Sequence, residues 1–396
     1  MTICIIGGGV AGLYLAKRLM DAGIEDVAIL EAEETVGGRA RMARFRGIPV
    51  VRGAGIGRAR DRRLRRLLRD LGVPENPFRV RVRGGESLPA LARRVRESRE
   101  YRAAPRAPFG RLAAAVLGRR AYAAFLERSL YTNFERDDAT DVILDYGVND
   151  NGGGWKGLAV SWTALIRALE KRVGRRRIVA ETSATAIDRV RDGGFVVRTG
   201  RPDGFSVRCE TVALATTVDV VRRLLPTVAE YRDGIFGQPF VRVYAAFDAP
   251  SAAVLGSLVP ATTIVQRPLK KIIPMSGNKN VFMVAYADNA DAEAVRAIGD
   301  DPATLARMVA QAVGSPVPLR ILDVQSHYWP IGTHGFGPLN TKKYADRAAF
   351  LRAAQRPAPG VFVVGEMVST NQGWVEGALE SVDAVFDTIK KENVTV

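Results

Sequence analysis

Cysteine and histidine are scarce in this chain of 396 residues, which contains two of each. Cys4 and Cys209 both fall in segments with the pattern of a strand, and neither has a CxxC partner, which excludes a disulfide framework and a cysteine-ligated metal site. His327 and His334 are the only histidines, so a histidine-rich metal centre is excluded as well. The sequence predicts two buried thiols, no bound metal and a reducing environment.

Long apolar runs are also missing. No such run approaches the ~20 residues that a membrane-spanning helix needs. A strand pattern begins at Thr2 and leaves no room for the basic and apolar regions of a signal peptide. We therefore expect a protein of the cytoplasm or another intracellular compartment, without a membrane span.

Positive charge, by contrast, is abundant. The chain has 58 Lys and Arg against 42 Asp and Glu, a net charge of +16, and many of its arginines lie between residues 39 and 136. Such a surface attracts nucleic acid, anionic membranes or acidic substrates. Few aromatic residues accompany these arginines and no recognised nucleic-acid motif is present, so we expect nucleic acid to bind only non-specifically, through the basic surface.

The chain begins with a strand, a helix and a second strand. Residues 2–6 and 27–31 have the continuous apolar pattern of buried parallel strands, and residues 10–22 between them have helical spacing that ends at a glycine. The right-handed crossover of such a unit places its two strands side by side. Residues 211–215 and 361–364 are further candidates for buried strands. The sequence thus predicts an α/β fold with a parallel sheet.

A glycine motif stands at the junction of the first strand and helix. Gly7 permits a tight turn, Gly9 lets the backbone approach a pyrophosphate, and Gly12 lets the helix pack closely on the strand. The helix N-terminus favours an anion. Glu31 ends the next strand 24 residues after Gly7, where its carboxylate can accept hydrogen bonds from ribose hydroxyls. The full motif reads Gly7-Gly8-Gly9-Val10-Ala11-Gly12.

A second glycine pair follows this acidic residue. The segment Glu31-Ala32-Glu33-Glu34-Thr35-Val36-Gly37-Gly38-Arg39, coming after the GxGxxG motif, resembles the flavin-containing amine oxidase family. That family includes monoamine, polyamine and L-amino acid oxidases, and more distantly desaturases and protoporphyrinogen oxidases. The resemblance implies that Arg39 contacts a phosphate or fixes the loop.

Two more segments carry the resemblance. Arg52-Gly53-Ala54-Gly55 is similar to an acid-Gly-Ala segment that the family places beside the isoalloxazine ring, with arginine in place of the acid. Val363-Val364-Gly365-Glu366 and Gln372-Gly373-Trp374-Val375-Glu376-Gly377-Ala378 are similar to its closing flavin motif. The resemblance implies that Glu366 bonds the ribityl or pyrophosphate region and that the helix from Val375 directs its N–H groups at the flavin ring.

The resemblance thus implies a bound FAD. The chain has no cysteine in its C-terminal third, which excludes a thioether link of the monoamine oxidase type, so we expect non-covalent binding. The predicted contacts are Gly7, Gly9, Val10, Ala11, Gly12, Glu31, Ala32, Gly38, Arg39, Gly53, Ala54, Gly55, Ala184, Gly365, Glu366, Trp374, Val375 and Ala378.

Three residues are candidates for catalysis. Trp374 matches an aromatic residue that lines the family's substrate cavity, although a core tryptophan is the alternative. Arg242 lies where many members have a lysine near flavin N5, and as a permanent cation it can orient a water, bind a carboxylate or simply pair with an acid in the sheet. His334 is a candidate acid–base group or a structural histidine.

We therefore predict an α/β protein with a Rossmann-like FAD-binding domain and a discontinuous α+β substrate domain. The first comprises residues 1–75, 150–215 and 320–396. The second comprises a helical part, 76–149, and a sheet part, 216–319.

The favoured function is oxidation of an amine or amino acid, a small-molecule substrate, with O2 as electron acceptor. Two alternatives remain: a desaturase or protoporphyrinogen-oxidase-like dehydrogenase, and a non-enzymatic flavoprotein associated with nucleic acid. Residues 53–58 with Gln372-Gly373-Trp374 look most like homologues encoded by large DNA viruses, for which virion association is a further possibility.

Overall fold

The computed structural model describes residues 3–144, 152–191 and 193–394. The glycines of residues 149–157 predict a loop, and its first residue, Asn149, lies outside the described residues. The strands are β1 (Ile3–Ile6), β2 (Val27–Leu30), β3 (Met42–Phe45), β4 (Ile48–Val51), β5 (Gly57–Arg58), β6 (Asn76–Arg79), β7 (Val82–Arg83), β8 (Lys156–Ala159), β9 (Ile178–Val179), β10 (Ala184–Arg189), β11 (Phe195–Thr199), β12 (Ser206–Cys209), β13 (Thr211–Leu214), β14 (Ile235–Phe247), β15 (Thr262–Ile264), β16 (Lys271–Pro274), β17 (Val281–Asp288), β18 (Ile321–Phe336) and β19 (Val361–Val363).

The α-helices are α1 (Val10–Asp21), α2 (Arg62–Asp70), α3 (Leu88–Glu97), α4 (Arg99–Ala103), α5 (Phe109–Leu117), α6 (Arg119–Glu127), α7 (Ala139–Ile143), α8 (Trp162–Val173), α9 (Val218–Leu224), α10 (Ala249–Leu258), α11 (Asn289–Ile298), α12 (Pro302–Val313), α13 (Arg347–Gln355) and α14 (Val375–Val394).

A five-stranded parallel sheet forms the centre of the first layer, in the order β19-β13-β1-β2-β9. Side chains of β1 alternate between its faces: Ile3 and Ile5 pack into the core with α1, α8 and α14, whereas Cys4 and Ile6 pack into the core with β10–β12, α9 and α13. Both faces are covered, which explains the continuous apolar pattern of these strands. The predicted α/β fold with a parallel sheet is confirmed.

The second sheet has six strands, in the order β18-β14-β17-β16-β15-β7. One face packs on α10, α11 and α12, and the other meets the β3–β4 hairpin. The 16-residue strand β18 pairs with β14 over most of its length. Residues 321–336 therefore belong to this sheet, although we predict the nucleotide domain to resume at residue 320. The remainder of the predicted domain division stays a prediction.

The helical region of residues 88–143 has its own apolar core of side chains from α3, α5, α6 and α7. The pattern over residues 111–136 predicts one helical stretch, but the chain forms α5 and α6 with a break at Gly118. That glycine has a φ of +83°, a left-handed conformation that ends α5 before α6 begins.

No helix within residues 3–144, 152–191 and 193–394 is long and apolar enough to cross a bilayer. The same residues contain no group of three or more His, Cys, Asp or Glu side chains that could hold a metal ion. Cys4 and Cys209 are buried, free thiols.

Candidate functional site

The loop between β1 and α1 depends on glycine at two close contacts. A Cβ atom at Gly7, where φ is +110°, would lie 2.4 Å from the carbonyl oxygen of Ala215, and one at Gly12 would lie 2.0 Å from that of Gly7. Gly9 differs, because a Cβ there would meet nothing within 4 Å. It is also the N-cap of α1 and supplies no side-chain cap. Space is therefore open in front of the N-terminus of α1, where Val10 and Ala11 begin the helix.

Glu31 lies at the end of β2 beside this loop. Its carboxylate accepts hydrogen bonds from the backbone N–H of Gly8 (2.8 Å) and of Glu33 (2.9 Å). The Glu31 carbonyl accepts from the N–H of Thr182, two residues before Ala184 at the start of β10. The acidic group is thus fixed next to the glycine loop, with the exposed Ala32 following it.

The second glycine pair packs directly on the first motif. The N–H of Gly37 donates to the Gly8 carbonyl at 2.8 Å, and Gly9 and Gly37 form a parallel bridge. A Cβ atom at Gly38, where φ is +52°, would lie 3.4 Å from the Cα of Gly9. The two glycine motifs therefore pack on each other, immediately before Arg39.

Arg39 joins the N-terminal half of the site to the C-terminal half. Its Nη1 donates to the carboxylate of Glu366 at 2.7 Å and to the Gly332 carbonyl at 2.9 Å. The same carboxylate is 2.5 Å from Nδ1 of His334 and accepts from the N–H of Gly373 at 2.9 Å. Residues more than 300 positions apart in the sequence therefore meet around one buried carboxylate.

His334 has both ring nitrogens engaged. Nε2 accepts a hydrogen bond from the backbone N–H of Val218 at 3.2 Å, so the proton of the neutral ring lies on Nδ1 and is donated to Glu366. Its side chain is fully buried. This arrangement suits positioning of Glu366, while an acid–base role for His334 stays a prediction.

The pKa of Glu366 lies well below its ordinary value. Burial by itself raises this pKa, but the adjacent His334 ring, the Arg39 guanidinium and the N–H of Gly373 lower it by more. The ionised carboxylate is therefore the form that the folded protein stabilises.

We expect this network to weaken in acid. Because the folded-state pKa of Glu366 is depressed, its stabilising contribution is present above the ordinary glutamate pKa of about 4.3 and is lost as pH falls below it. Urea unfolding of the wild type and of Glu366→Gln between pH 7 and pH 3 measures the contribution. The difference in unfolding free energy should shrink toward low pH, and a difference independent of pH would contradict the assignment.

The segment Gly53–Gly55 lies between Arg39 and the second sheet. The N–H of Ala54 donates to the Arg39 carbonyl at 2.8 Å, and a Cβ at Gly53 would lie 2.1 Å from that oxygen. A Cβ at Gly55 would lie 2.8 Å from Nη2 of Arg242. The glycines allow the backbone to fit between an arginine on each side.

Trp374, immediately before α14, contacts two side chains that sequence reasoning missed. Its ring meets that of Trp155 edge-on, with centroids 6.0 Å apart, and the guanidinium of Arg58 lies 4.3 Å from its centroid. Arg58 also bonds Asn371 and the buried Asp61. Val375 begins α14, where the first helix N–H groups lack intrahelical acceptors, and the N–H of Ala378 in the same turn donates to the Trp374 carbonyl at 3.4 Å.

Arg242 is buried on the face of the second sheet that meets Gly55. Its guanidinium lies 3.9 Å from the ring centroid of Tyr286, and Nη1 contacts the sulfur of Met283 at 3.7 Å. Lys271 lies 3.9 Å from the same Tyr286 centroid and donates to the Leu130 carbonyl. Sequence reasoning missed Tyr286 and Lys271, since only the strand register places them next to Arg242.

Burial shifts the pKa of Lys271. Desolvation is the largest cause and lowers this pKa well below its ordinary value; Asp288 acts in the opposite direction, and Arg242 lowers it further. The carboxylate of Asp288 accepts from the N–H and hydroxyl groups of Thr132. The surroundings of Arg242 thus disfavour the positively charged form of Lys271.

These features fit an elongated dinucleotide such as FAD. The open space at Gly9 faces a helix N-terminus, as a diphosphate requires. Glu31 lies on one side of it, suitable for a ribose, and Arg39 and Glu366 lie on the other. A second helix, α14, begins beyond Trp374, where its N–H groups suit negative charge on a reduced flavin ring.

Comparison with known proteins agrees with this geometry. The family model for flavin-containing amine oxidoreductases matches residues 10–143 and 137–382. Polyamine oxidase 7 of Oryza sativa subsp. japonica is 48% identical over 52 residues, which are 13% of this chain and 11% of that protein. Flavin-containing amine oxidase B of Cavia porcellus is 40% identical over 73 residues, 18% of this chain and 14% of that protein. The matched segments thus span only a small part of each relative.

Solved structures show the same fold over nearly the whole chain. Cyclohexylamine oxidase from Brevibacterium oxydans IH-35A superposes with a TM-score of 0.74 at 16% identity, covering 99% of each chain. Putrescine oxidase solved with putrescine gives a TM-score of 0.72 at 15% identity, covering 98% of this chain and 99% of that one. At such low identity the likeness shows the fold alone.

Proposed function

This chain belongs to the family of flavin-containing amine oxidoreductases, whose cofactor here is FAD, and on that premise we propose that it oxidises the C–N bond of an amine or amino acid. The observation that best supports the proposal is the carboxylate of Glu366, which joins Arg39, His334 and Gly373 beside the open space at Gly9. Segments from both ends of the chain meet at this carboxylate, which supports one binding site for an elongated cofactor.

When bound, FAD would supply the two-electron acceptor for oxidation of the substrate carbon next to nitrogen, with O2 as the terminal oxidant and H2O2 as the product of its reduction. The resulting imine is hydrolysed by water. Every other task falls to the protein.

The protein's part is binding, orientation and exclusion of water. The N-terminus of α1 would bind the diphosphate, and the Glu31 carboxylate would accept hydrogen bonds from the ribose hydroxyls. The ion pair of Arg39 with Glu366 fixes the loop between β19 and α14. Trp374 and Trp155 form an edge-to-face aromatic pair that limits water access to the substrate. In this proposal Arg242 orients the substrate, and His334 positions Glu366.

Two alternatives receive less support. A desaturase-like or protoporphyrinogen-oxidase-like reaction and a non-enzymatic flavoprotein that binds nucleic acid would both use the same fold. The family model that matches is that of the amine oxidoreductases, which favours amine oxidation. The proposal includes O2 as the physiological electron acceptor. It also includes an intracellular location, because the two cysteines are free and buried, as is usual in reducing compartments.

The proposal predicts bleaching of the bound flavin. Anaerobic addition of a reactive amine or amino acid should abolish the visible flavin absorbance, and admission of air should restore it with release of H2O2. A broad panel of amines and amino acids should be tested by stopped-flow absorbance. Flavin-loaded protein that no member of the panel reduces would contradict the proposed reaction.

A further inference from the structure

Three basic side chains meet beside Gly55, on the face of the second sheet that contains Tyr286. Arg242 on β14 and His327 on β18 are direct partners in the strand register. Arg52 follows β4, whose end is held against this face because the hydroxyl of Tyr244 donates to the Val51 carbonyl at 2.7 Å. We call Arg52, Arg242 and His327 the basic cluster.

The basic cluster has polar atoms without partners. Nε of Arg52, Nε of Arg242 and Nε2 of His327 are all buried and make no hydrogen bond within the described residues. Arg242 is only 3% exposed, so water does not compensate for its missing bond. A buried, unsatisfied charge is costly, and proteins keep one mainly where a ligand completes it.

No carboxylate of the described chain neutralises the cluster. Neither Arg52 nor Arg242 forms a salt bridge within residues 3–144, 152–191 and 193–394, whereas the other two buried arginines there, Arg58 and Arg347, each do. The pKa of His327 falls to about 4, first because of burial and then because of the positive charges of Arg52 and Arg242, with Asp300 offsetting little of this effect. The region therefore has a positive potential that an anion would neutralise.

Aromatic rings surround the cluster. The rings of Phe240 and Tyr286 lie 5.4 and 3.9 Å from the Arg242 guanidinium, and Trp329 donates to the Arg52 carbonyl at 2.8 Å. Arg52 and His327 are half-buried, so one edge of the cluster reaches the surface while Arg242 lies behind it. A planar carboxylate attached to an apolar group suits both the guanidinium groups and these rings.

We propose that the basic cluster binds the carboxylate of the substrate, so that this chain acts on amino acids in preference to simple amines. This inference rests on the proposed function and names the substrate class of the same site. Arg242 and Arg52 would donate paired N–H groups to the two carboxylate oxygens, and neutral His327 would donate its one N–H to the same carboxylate.

The test compares ligands that differ only in the carboxylate. Flavin-loaded wild type, Arg242→Gln and Arg307→Gln are titrated with benzoate, benzamide and benzylamine by isothermal calorimetry and by perturbation of the flavin spectrum. Arg307→Gln removes the same charge from an exposed position of α12 and serves as the matched control. Anaerobic flavin reduction is then measured with phenylalanine and with phenethylamine, its counterpart without the carboxylate.

We expect wild type and Arg307→Gln to bind benzoate in preference to benzamide and benzylamine. Arg242→Gln should weaken benzoate binding and lower the reduction efficiency with phenylalanine by about 10- to 100-fold, the loss of one or two charge-assisted hydrogen bonds. Its efficiency with phenethylamine should fall by a smaller factor than its efficiency with phenylalanine, because phenethylamine has no carboxylate to lose its partner. Arg242→Lys, which keeps the charge but not the planar pair of donors, should be intermediate.

Three results would overturn the inference. The first is equal benzoate affinity in the wild type and Arg242→Gln. The second is a wild-type preference for phenethylamine over phenylalanine. The third is that Arg242→Gln loses FAD but still binds benzoate as the wild type does. In the third case the cluster serves the cofactor. Protein that never takes up FAD would instead contradict the proposed function, so the two failures are distinguishable.

Discussion

Replacing Gly9 by alanine should remove most FAD binding while leaving the fold intact. The added methyl group meets no protein atom within 4 Å, and its backbone is extended at φ −70° and ψ −178°, so the folded chain accepts it. It would occupy the space where we place the diphosphate. Crowding by one methyl group costs about 1–3 kcal/mol, or about 5- to 150-fold in the dissociation constant for FAD. Fluorescence titration of the apoprotein with FAD measures this change.

Gly12→Ala is the matched control for this prediction. There the new methyl group would lie 2.0 Å from the Gly7 carbonyl oxygen, so α1 must move away from β1. We expect the apoprotein to lose about 3 kcal/mol or more of unfolding free energy, whereas Gly9→Ala should lose about 1 kcal/mol or less. Urea unfolding without FAD separates the two effects. Gly9→Ala protein that binds FAD as the wild type does would show that the diphosphate lies elsewhere.

Removing the carboxylate of Glu366 should be strongly destabilising. Glu366→Ala leaves the Arg39 guanidinium, the Nδ1–H of His334 and the N–H of Gly373 without their acceptor in a buried setting. Loss of one partner from such a charged network costs about 3–5 kcal/mol. FAD content after purification should fall together with the midpoint of urea unfolding, because the same network joins the two halves of the site.

Two variants make this prediction specific. Glu366→Gln retains an acceptor oxygen and should lose less stability than Glu366→Ala. Glu97→Ala removes an exposed glutamate at the end of α3 and should change the unfolding free energy by no more than about 0.5 kcal/mol. If Glu366→Ala were as stable as Glu97→Ala, the network would not hold the site together.

Features set by neighbouring residues could be predicted from the sequence. The spacing from Gly7 to Glu31 predicts a strand, a turn, a helix and a second strand, and the structure has β1, α1 and β2 there. Close contacts that only glycine permits, as at Gly12, are encoded in the motif itself. The same holds for α12, where the pattern predicts a helix over residues 302–313 and the structure has Pro302–Val313.

Features set by pairing of distant strands could not be predicted. Residues 321–336 form one long strand that includes Pro330, which β18 accommodates as the edge strand of its sheet, and only its pairing with β14 defines it. That register brings His327 to Arg242, 85 positions earlier in the chain. Single-sequence patterns do not encode such registers, which explains why Tyr286, Lys271 and the partners of His334 escaped sequence reasoning.

The most direct test of the account is the flavin content of the purified protein after incubation with FAD. If segments from both ends of the chain form one FAD site, gel-filtered protein should retain about one FAD per chain, which heat denaturation should release intact because no covalent bond holds it. Protein that stays colourless after this treatment, and whose unfolding temperature FAD does not raise, would contradict it.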